Sequence, residues 1–265
     1  ATIEKGRRAK WGSRKRKGGR SFLYVDADEK PVKDKAGLER IKSLVIPPAW
    51  EFVRINPSAG GKVQAVGMDA NGRVQYRYNP LFAAKQQRKK FSKIERFGAM
   101  LPVLRRFTNE HIETVLAVVM RLINSLDFRV GTDLSAKHYR TYGITTLEKR
   151  HLKIGRKGKL CFDFVGKSHI QHRKILVDEE LAAVLKDMSS SGRGRKLFQY
   201  LDADGKFKPV TPSQINAYLK AATASEFSSK DFRTWGATVV AASEFAAEGA
   251  AENETELKKK IVRVV

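Results

Sequence analysis

Three cations stand where the chain changes direction. Arg129 follows an apolar helical run ending at Leu126 and precedes Val130-Gly131, so it occupies a helix-to-loop junction. Lys167 lies in Gly166-Lys167-Ser168, which reverses the chain at the tip of a tight hairpin. Arg233 belongs to Lys230-Asp231-Phe232-Arg233-Thr234-Trp235-Gly236, just before an alanine-rich helix. An arginine at a helix end ordinarily serves a surface ion pair or a nonspecific phosphate contact, and a lysine in a turn is ordinarily solvated. Spacing alone lifts none of the three above those uses. Tyr76 and Tyr78 alternate with Gln75 and Arg77 and so share one strand face, where packing is the usual role.

Other chemistries lack their motifs. The five histidines, His111, His138, His151, His169 and His172, never form HExxH. His169 and His172 read as opposite faces of a strand, with structural or DNA-facing roles. There is no phosphate-cradling GxxxxGK[ST], no GxGxxG opening a helix after a strand, and no nucleophile elbow. Neither ATP nor a metal is therefore expected. Cys161 is the single cysteine, which excludes an intrachain disulfide and a thiolate zinc site.

Charge narrows the partner. The 265 residues carry 52 Lys and Arg against 28 Asp and Glu, a formal charge of +24. Such an excess costs self-repulsion unless a polyanion is the usual partner, and DNA repays each neutralised phosphate with a released counterion. No apolar run approaches the roughly 20 residues that cross a bilayer. The basic start (Arg7, Arg8, Lys10, Arg14 to Lys17, Arg20) lacks a signal peptide's apolar segment. It reads as a disordered or phosphate-tracking arm over residues 1–20. A cytoplasmic, nucleoid-associated monomer with no membrane partner is the expectation.

The elements that must position these side chains fall into two groups. Residues 1–80 read as strands and turns, with one helical patch at 35–43. Leu44-Val45-Ile46 stops at Pro47-Pro48, and Asn71-Gly72 signals a hairpin before Val74, Tyr76 and Tyr78. Beyond Asn79-Pro80 the period turns helical: Phe91, Ile94, Phe97, Leu101 and Leu104, then Val115, Val118, Val119, Leu122 and Leu126. Asp178 and Thr211-Pro212-Ser213-Gln214 are helix starts, the second a capping box. Leu160, Phe162 and Phe164 alternate as a strand. The expected fold class is α+β: a small β-rich N-terminal domain (1–80), then a mainly helical domain (81–265) carrying a short β-hairpin.

Several segments together carry a resemblance. Ile46-Pro47-Pro48-Ala49-Trp50, Gln64 to Ala70 and Gly72 to Tyr78 are similar to the N-terminal domain of bacterial, poxvirus-like type IB DNA topoisomerases. Phe128-Arg129-Val130-Gly131, Tyr142 to Leu147, Phe164-Val165-Gly166-Lys167 and Lys230 to Trp235 resemble the catalytic domain of that family, in order. The likeness covers roughly residues 20–265, and an ordered series is far more specific than one motif.

The resemblance implies an ATP- and metal-independent enzyme that relaxes duplex DNA. It nicks one strand through a 3′-phosphotyrosyl bond and reseals it by the reverse transesterification. It implies Arg129 and Arg233 on the scissile phosphate and Lys167 as general acid. Gln75, Tyr76, Tyr78 and Lys230 become DNA contacts, and residues 1–80 a DNA-clamping domain. Two departures follow. The family's nucleophilic tyrosine, and a preceding His or Asn, come after the helix at which this sequence stops, and no tyrosine follows Tyr218. The expectation is a chain without its C-terminal segment that binds DNA but does not cleave it. The stretch Gly131 to Ser135 also lacks a tyrosine common in the family. The alternatives are a tyrosine recombinase, sharing the Arg, Lys and Arg framework, and a non-catalytic DNA clamp.

Overall fold

The structure, a computed structural model, describes residues 2–18, 21–224 and 226–264. The chain forms two compact units, Ala1–Ser92 and Lys93–Val265, and the division falls inside one long helix.

The first unit is a five-stranded antiparallel sheet with two small helices. In chain order it holds α1 (Thr2–Arg8), β1 (Gly12–Gly18), β2 (Ser21–Val25), α2 (Lys35–Ser43), β3 (Glu51–Ile55), β4 (Val63–Met68) and β5 (Val74–Tyr78). The strand order is β2-β1-β3-β4-β5, leaving β5 at an edge. The β4–β5 turn forms as its sequence predicts: Asp69 accepts the backbone N–H groups of Asn71 and Arg73, and Gly72 takes φ +72°. Ile41, Val53, Ile55 and Ala65 are the buried core, against which Trp50 and Ile46 pack.

Two expectations fail in this unit. The basic start is not an unstructured arm over its described residues, because 2–8 are helical and 12–18 form a strand inside the sheet. The sequence hides that strand because Gly-Ser-Arg-Lys-Arg-Lys-Gly has no apolar residue. Its Arg14 instead lays its guanidinium 4.2 Å above the Phe22 ring and donates to the carbonyls of Pro47 (3.0 Å) and Trp50 (2.6 Å). Residues 44–46 are likewise no strand. Leu44 caps α2 and Val45 turns the chain with φ +48°.

The second unit is mainly helical. It takes the larger part of α3 (Pro80–Glu110), then α4 (Val115–Leu126), α5 (Asp133–Tyr139), the antiparallel sheet β6 (Leu152–Ile154), β7 (Lys159–Val165) and β8 (Gln171–Val177), and α6 (Glu179–Ser191). A small hairpin, β9 (Gln199–Leu201) and β10 (Phe207–Pro209), precedes α7 (Pro212–Thr223), α8 (Ser229–Glu248) and α9 (Glu254–Val264). The helical periods predict the core well: Ile94, Phe97, Leu101, Leu104, Val118, Val119 and Leu122 are buried. Val115 and Leu126 are partly buried, and Phe91 stays exposed. Asp178 and Thr211 cap their helices as read, accepting from the N–H groups of Leu181 and Gln214.

Helix α8 starts earlier than its alanine-rich stretch suggests. Buried Asp231 accepts the Ser228 N–H (2.7 Å) and the Lys93 ammonium (2.7 Å), so Arg233 falls inside the helix rather than before it. Gly98 on α3 lets the Trp235 ring of α8 lie directly on the α3 backbone, where a Cβ would overlap it. Gly98→Ala, favourable for an isolated helix, is therefore expected to destabilise the protein by about 1–3 kcal/mol through overpacking. Thermal unfolding checks this; an unchanged or raised midpoint would mean that the ring has room to move.

Candidate active site

Arg129 is held by an aromatic anchor and a backbone crossing. Helix α4 breaks at Asp127, which takes φ +51°, and Phe128 then buries its ring against Phe162 (5.2 Å between centroids) and Phe164 (5.6 Å). The next side chain, Arg129, points away and is exposed. Its carbonyl accepts the Ile144 N–H (2.8 Å), and that of Val130 accepts the Thr145 N–H (2.9 Å). The crossing needs glycine on both strands, since a Cβ on Gly143 would stand 2.6 Å from the Arg129 carbonyl oxygen.

The hairpin β7–β8 supplies the opposite wall. Phe164 pairs with His172 and Phe162 with Lys174, so His172 and Lys174 share the inward face of β8. Gly166 makes room for the His172 ring, which would overlap any Cβ there. The tip is tight, with Ser168 at φ +64° and His169 at φ +57°. His169 thus belongs to the turn and not, as its sequence suggests, to the strand.

Arg129 and Arg233 open into one pocket of about 450 Å³, whose lining also includes Asp127, Tyr142, His172 and Lys174. Lys167 is exposed at the hairpin tip, next to the lining residue Gly166 but not in the lining itself. Lys230 is exposed on the first turn of α8, also outside it. Sequence reasoning finds the two arginines and misses Asp127, Tyr142, His172 and Lys174. The signal was two polar residues at the core-facing positions of a strand.

Electrostatics gives the pocket its character. Three cations face one carboxylate, Asp127, which lies where a Cβ on Gly236 would be 2.7 Å from its oxygen. Lys174 donates to the Leu126 carbonyl (2.5 Å), and its ammonium lies 5.8 Å from the centre of the Phe128 ring. Burial, reinforced by Arg233 and opposed by Asp127, lowers the Lys174 pKa. Burial, then Lys174, Arg129 and Arg233, push the His172 pKa down, which favours the neutral imidazole. Arg233 is lowered by burial and by Arg129, against Asp127. The surplus of positive charge suits a phosphate-like oxyanion, and the neutral imidazole adds a hydrogen-bonding group.

Among the described residues one tyrosine lines this pocket. Tyr142 lines it, but its hydroxyl accepts from Arg150 (3.1 Å) and its ring lies 4.4 Å from that of His151. Tyr218 packs on α7 against Phe107 (5.4 Å) and is not in the lining. The stretch after Gly131 is not a plain loop: α5 fills it and leaves Tyr139 exposed at its end.

In the first unit, Tyr76 and Tyr78 stack (5.9 Å) on one face of the edge strand β5. Gln75, between them and Val74, lies on the other face and donates to Asp69 (2.9 Å). Among the described residues no three His, Cys, Asp or Glu side chains group as a metal site, and no helix is long and apolar enough to cross a membrane.

Comparison with known proteins decides the family. Residues 79–264 match the eukaryotic DNA topoisomerase I catalytic core, and residues 21–69 match the bacterial DNA topoisomerase IB N-terminal domain. The chain belongs to the type IB DNA topoisomerases. It is 31% identical over 239 residues to DNA topoisomerase 1B of Acanthamoeba polyphaga mimivirus, covering 86% of this chain and 70% of that relative. It is 24% identical over 192 residues to DNA topoisomerase 1 of Mycosarcoma maydis (62% of this chain) and 27% identical over 125 residues to that of Daucus carota (47%). Those two relatives are far longer, and the chain spans 19% and 15% of them. With its bacterial N-terminal domain, this type IB topoisomerase has DNA as its substrate.

The pocket's charge makes a titration prediction. His172 is expected to titrate below the ordinary imidazole value of about 6.5, and Lys174→Met is expected to raise it by removing a cation. Because the folded pKa is depressed, the unfolded chain binds more protons. The corresponding stability is therefore present above about 6.5 and is lost as pH falls through the folded pKa. NMR titration of the imidazole reads this directly. A His172 pKa indifferent to Lys174→Met would show that the two groups do not share one field.

Proposed function

We propose that Arg129 and Arg233 hold the scissile phosphate of duplex DNA during an ATP- and metal-independent transesterification. The observation that carries this reading is that two arginines, remote in sequence and on different elements, open into one net-positive pocket. Guanidinium forks stay protonated and donate in pairs to non-bridging phosphate oxygens, which suits a pentacoordinate transition state. In the forward step a tyrosine oxygen bonds to phosphorus and the bond from phosphorus to the 5′-oxygen breaks. The departing 5′-oxygen takes a proton, and the reverse step restores the strand.

Lys167 is proposed as the general acid that supplies that proton. An exposed hairpin tip beside the pocket suits a group that meets its substrate only when DNA is bound. The attacking tyrosine is not identified among residues 1–265: the Tyr142 hydroxyl is held by Arg150, the Tyr218 hydroxyl is buried away from the pocket lining, and exposed Tyr139 is not in that lining either. Residues 1–265 alone are accordingly proposed to bind duplex DNA without forming a covalent adduct, which is also the behaviour of a non-catalytic clamp.

Residues 1–80 are proposed as the DNA-clamping domain and residues 81–265 as the catalytic one. A two-stranded β-ribbon such as β4–β5 fits a major groove, with one face toward the base edges and the other toward the groove wall. That supports Gln75 together with Tyr76 and Tyr78 as contacts, although the pleat sends them to opposite sides. Lys230 is proposed as a phosphate contact. The working form is proposed to be a monomer associated with the cytoplasmic nucleoid.

Relaxation of plasmid by a chain that carries an attacking tyrosine is the test. Positive and negative supercoils are both expected to relax in EDTA without ATP. Arg129→Ala and Arg233→Ala are each expected to lose at least ~10²–10³ in rate, by analogy with an oxyanion donor. Lys167→Ala should slow cleavage more than it weakens binding. A strict requirement for magnesium or ATP, or full activity without either arginine, would overturn the proposal.

A further inference from the structure

Val45 is an exposed, β-branched residue in a backbone conformation that disfavours it. It follows the C-cap of α2 with φ +48°, the position where helices usually place glycine or asparagine. Two atoms on Cβ make that conformation costly for valine, and nothing packs on the side chain to offset the cost, since it is 71% exposed. Such strain persists only where neighbours impose it. Here the neighbour is Arg77, whose guanidinium donates to the Val45 carbonyl at 2.6 Å and lies 5.7 Å from the Trp50 ring. From the other direction Arg14 gathers the carbonyls of Ile46, Pro47, Pro48 and Trp50. Neither arginine is ion-paired with a carboxylate among the described residues, so the loop has two unneutralised cations behind it.

Arg77 belongs to β5, the edge strand read above as facing DNA. Val45 therefore stands beside that strand, on the side to which Gln75 and Arg77 project, with exposed Lys42 one turn earlier in α2. A rigid turn presenting an apolar tip beside an exposed cation suits a nucleic-acid groove: Lys42 takes a phosphate, and the valine meets sugar or thymine-methyl carbons.

We infer that the Val45–Pro48 turn is a second DNA-contacting element, held ready by Arg14 and Arg77, with Val45 as its apolar contact to duplex DNA. This rests on the reading of β5 as a DNA-facing strand. The strain at Val45 is then retained for binding, at the expense of stability.

The account predicts opposite signs for stability and binding. Val45→Gly and Val45→Asn, which suit the left-handed conformation, are expected to raise the thermal midpoint of the chain by a few degrees. Both are expected to weaken binding to a short duplex by up to about tenfold, the loss of one buried valine contact. Val45→Ile should bind like the unsubstituted protein. The loss should leave the slope of log affinity against log salt unchanged, whereas Lys42→Ala should reduce that slope by about one. Wild-type affinity in Val45→Gly overturns the inference. Gln75→Ala and Tyr78→Ala, measured alongside, separate the two claims. If they lose affinity and Val45→Gly does not, only this inference falls; if they too bind normally, the DNA-facing reading of β5 falls with it.

Discussion

Like charges repel, and this fold assembles a positive pocket with a single carboxylate to temper it. Arg129, Arg233 and Lys174 face one opening, and only Asp127 among the lining residues is acidic. The price appears in the directions of their titrations. Burial and mutual repulsion lower Lys174, Arg233 and His172, and Asp127 offsets only part of this for the first two. Such a cluster is unfavourable until a polyanion enters it, which is why an arrangement poor for stability suits binding a phosphate.

The scaffold around the pocket supplies what the charges withhold. Phe128 packs edge-on against Phe162 and stacks on Phe164, fixing the residue next to Arg129 by apolar burial. Lys174 ties β8 to the Leu126 carbonyl at the end of α4, where a cation also meets the negative end of the helix dipole. Asp231 ties the start of α8 to Lys93 on α3, and Gly98 lets Trp235 close the same interface. The two arginines thus reach the pocket from different elements, which meet where Gly236 of α8 packs on Asp127.

Some of this could be read from residue order alone. Arg129 and Arg233 stand out in the sequence because ordered motifs surround them, and the structure puts both in one pocket lining; the core helices are legible because their apolar period is regular. Lys174 and His172 were not, because a polar residue at an inward strand position looks like a solvated one until its partners are known. The strand at Gly12–Gly18 was hidden for a different reason: its residues are polar and basic, and Arg14 is accommodated by carbonyls rather than by apolar burial. The strained turn at Val45 carried no composition signal, since it depends on two arginines distant in sequence. Long-range hydrogen bonds are what pattern reading lacks.

The central claim is that the pocket exists to hold one oxyanion between Arg129 and Arg233. Crystals of the chain soaked in tungstate, which mimics a phosphate and scatters anomalously, would test it directly. The account predicts a tungstate within hydrogen-bonding distance of both guanidiniums. Anomalous density confined to exposed surface lysines, with the two arginines turned onto protein carboxylates, would contradict it.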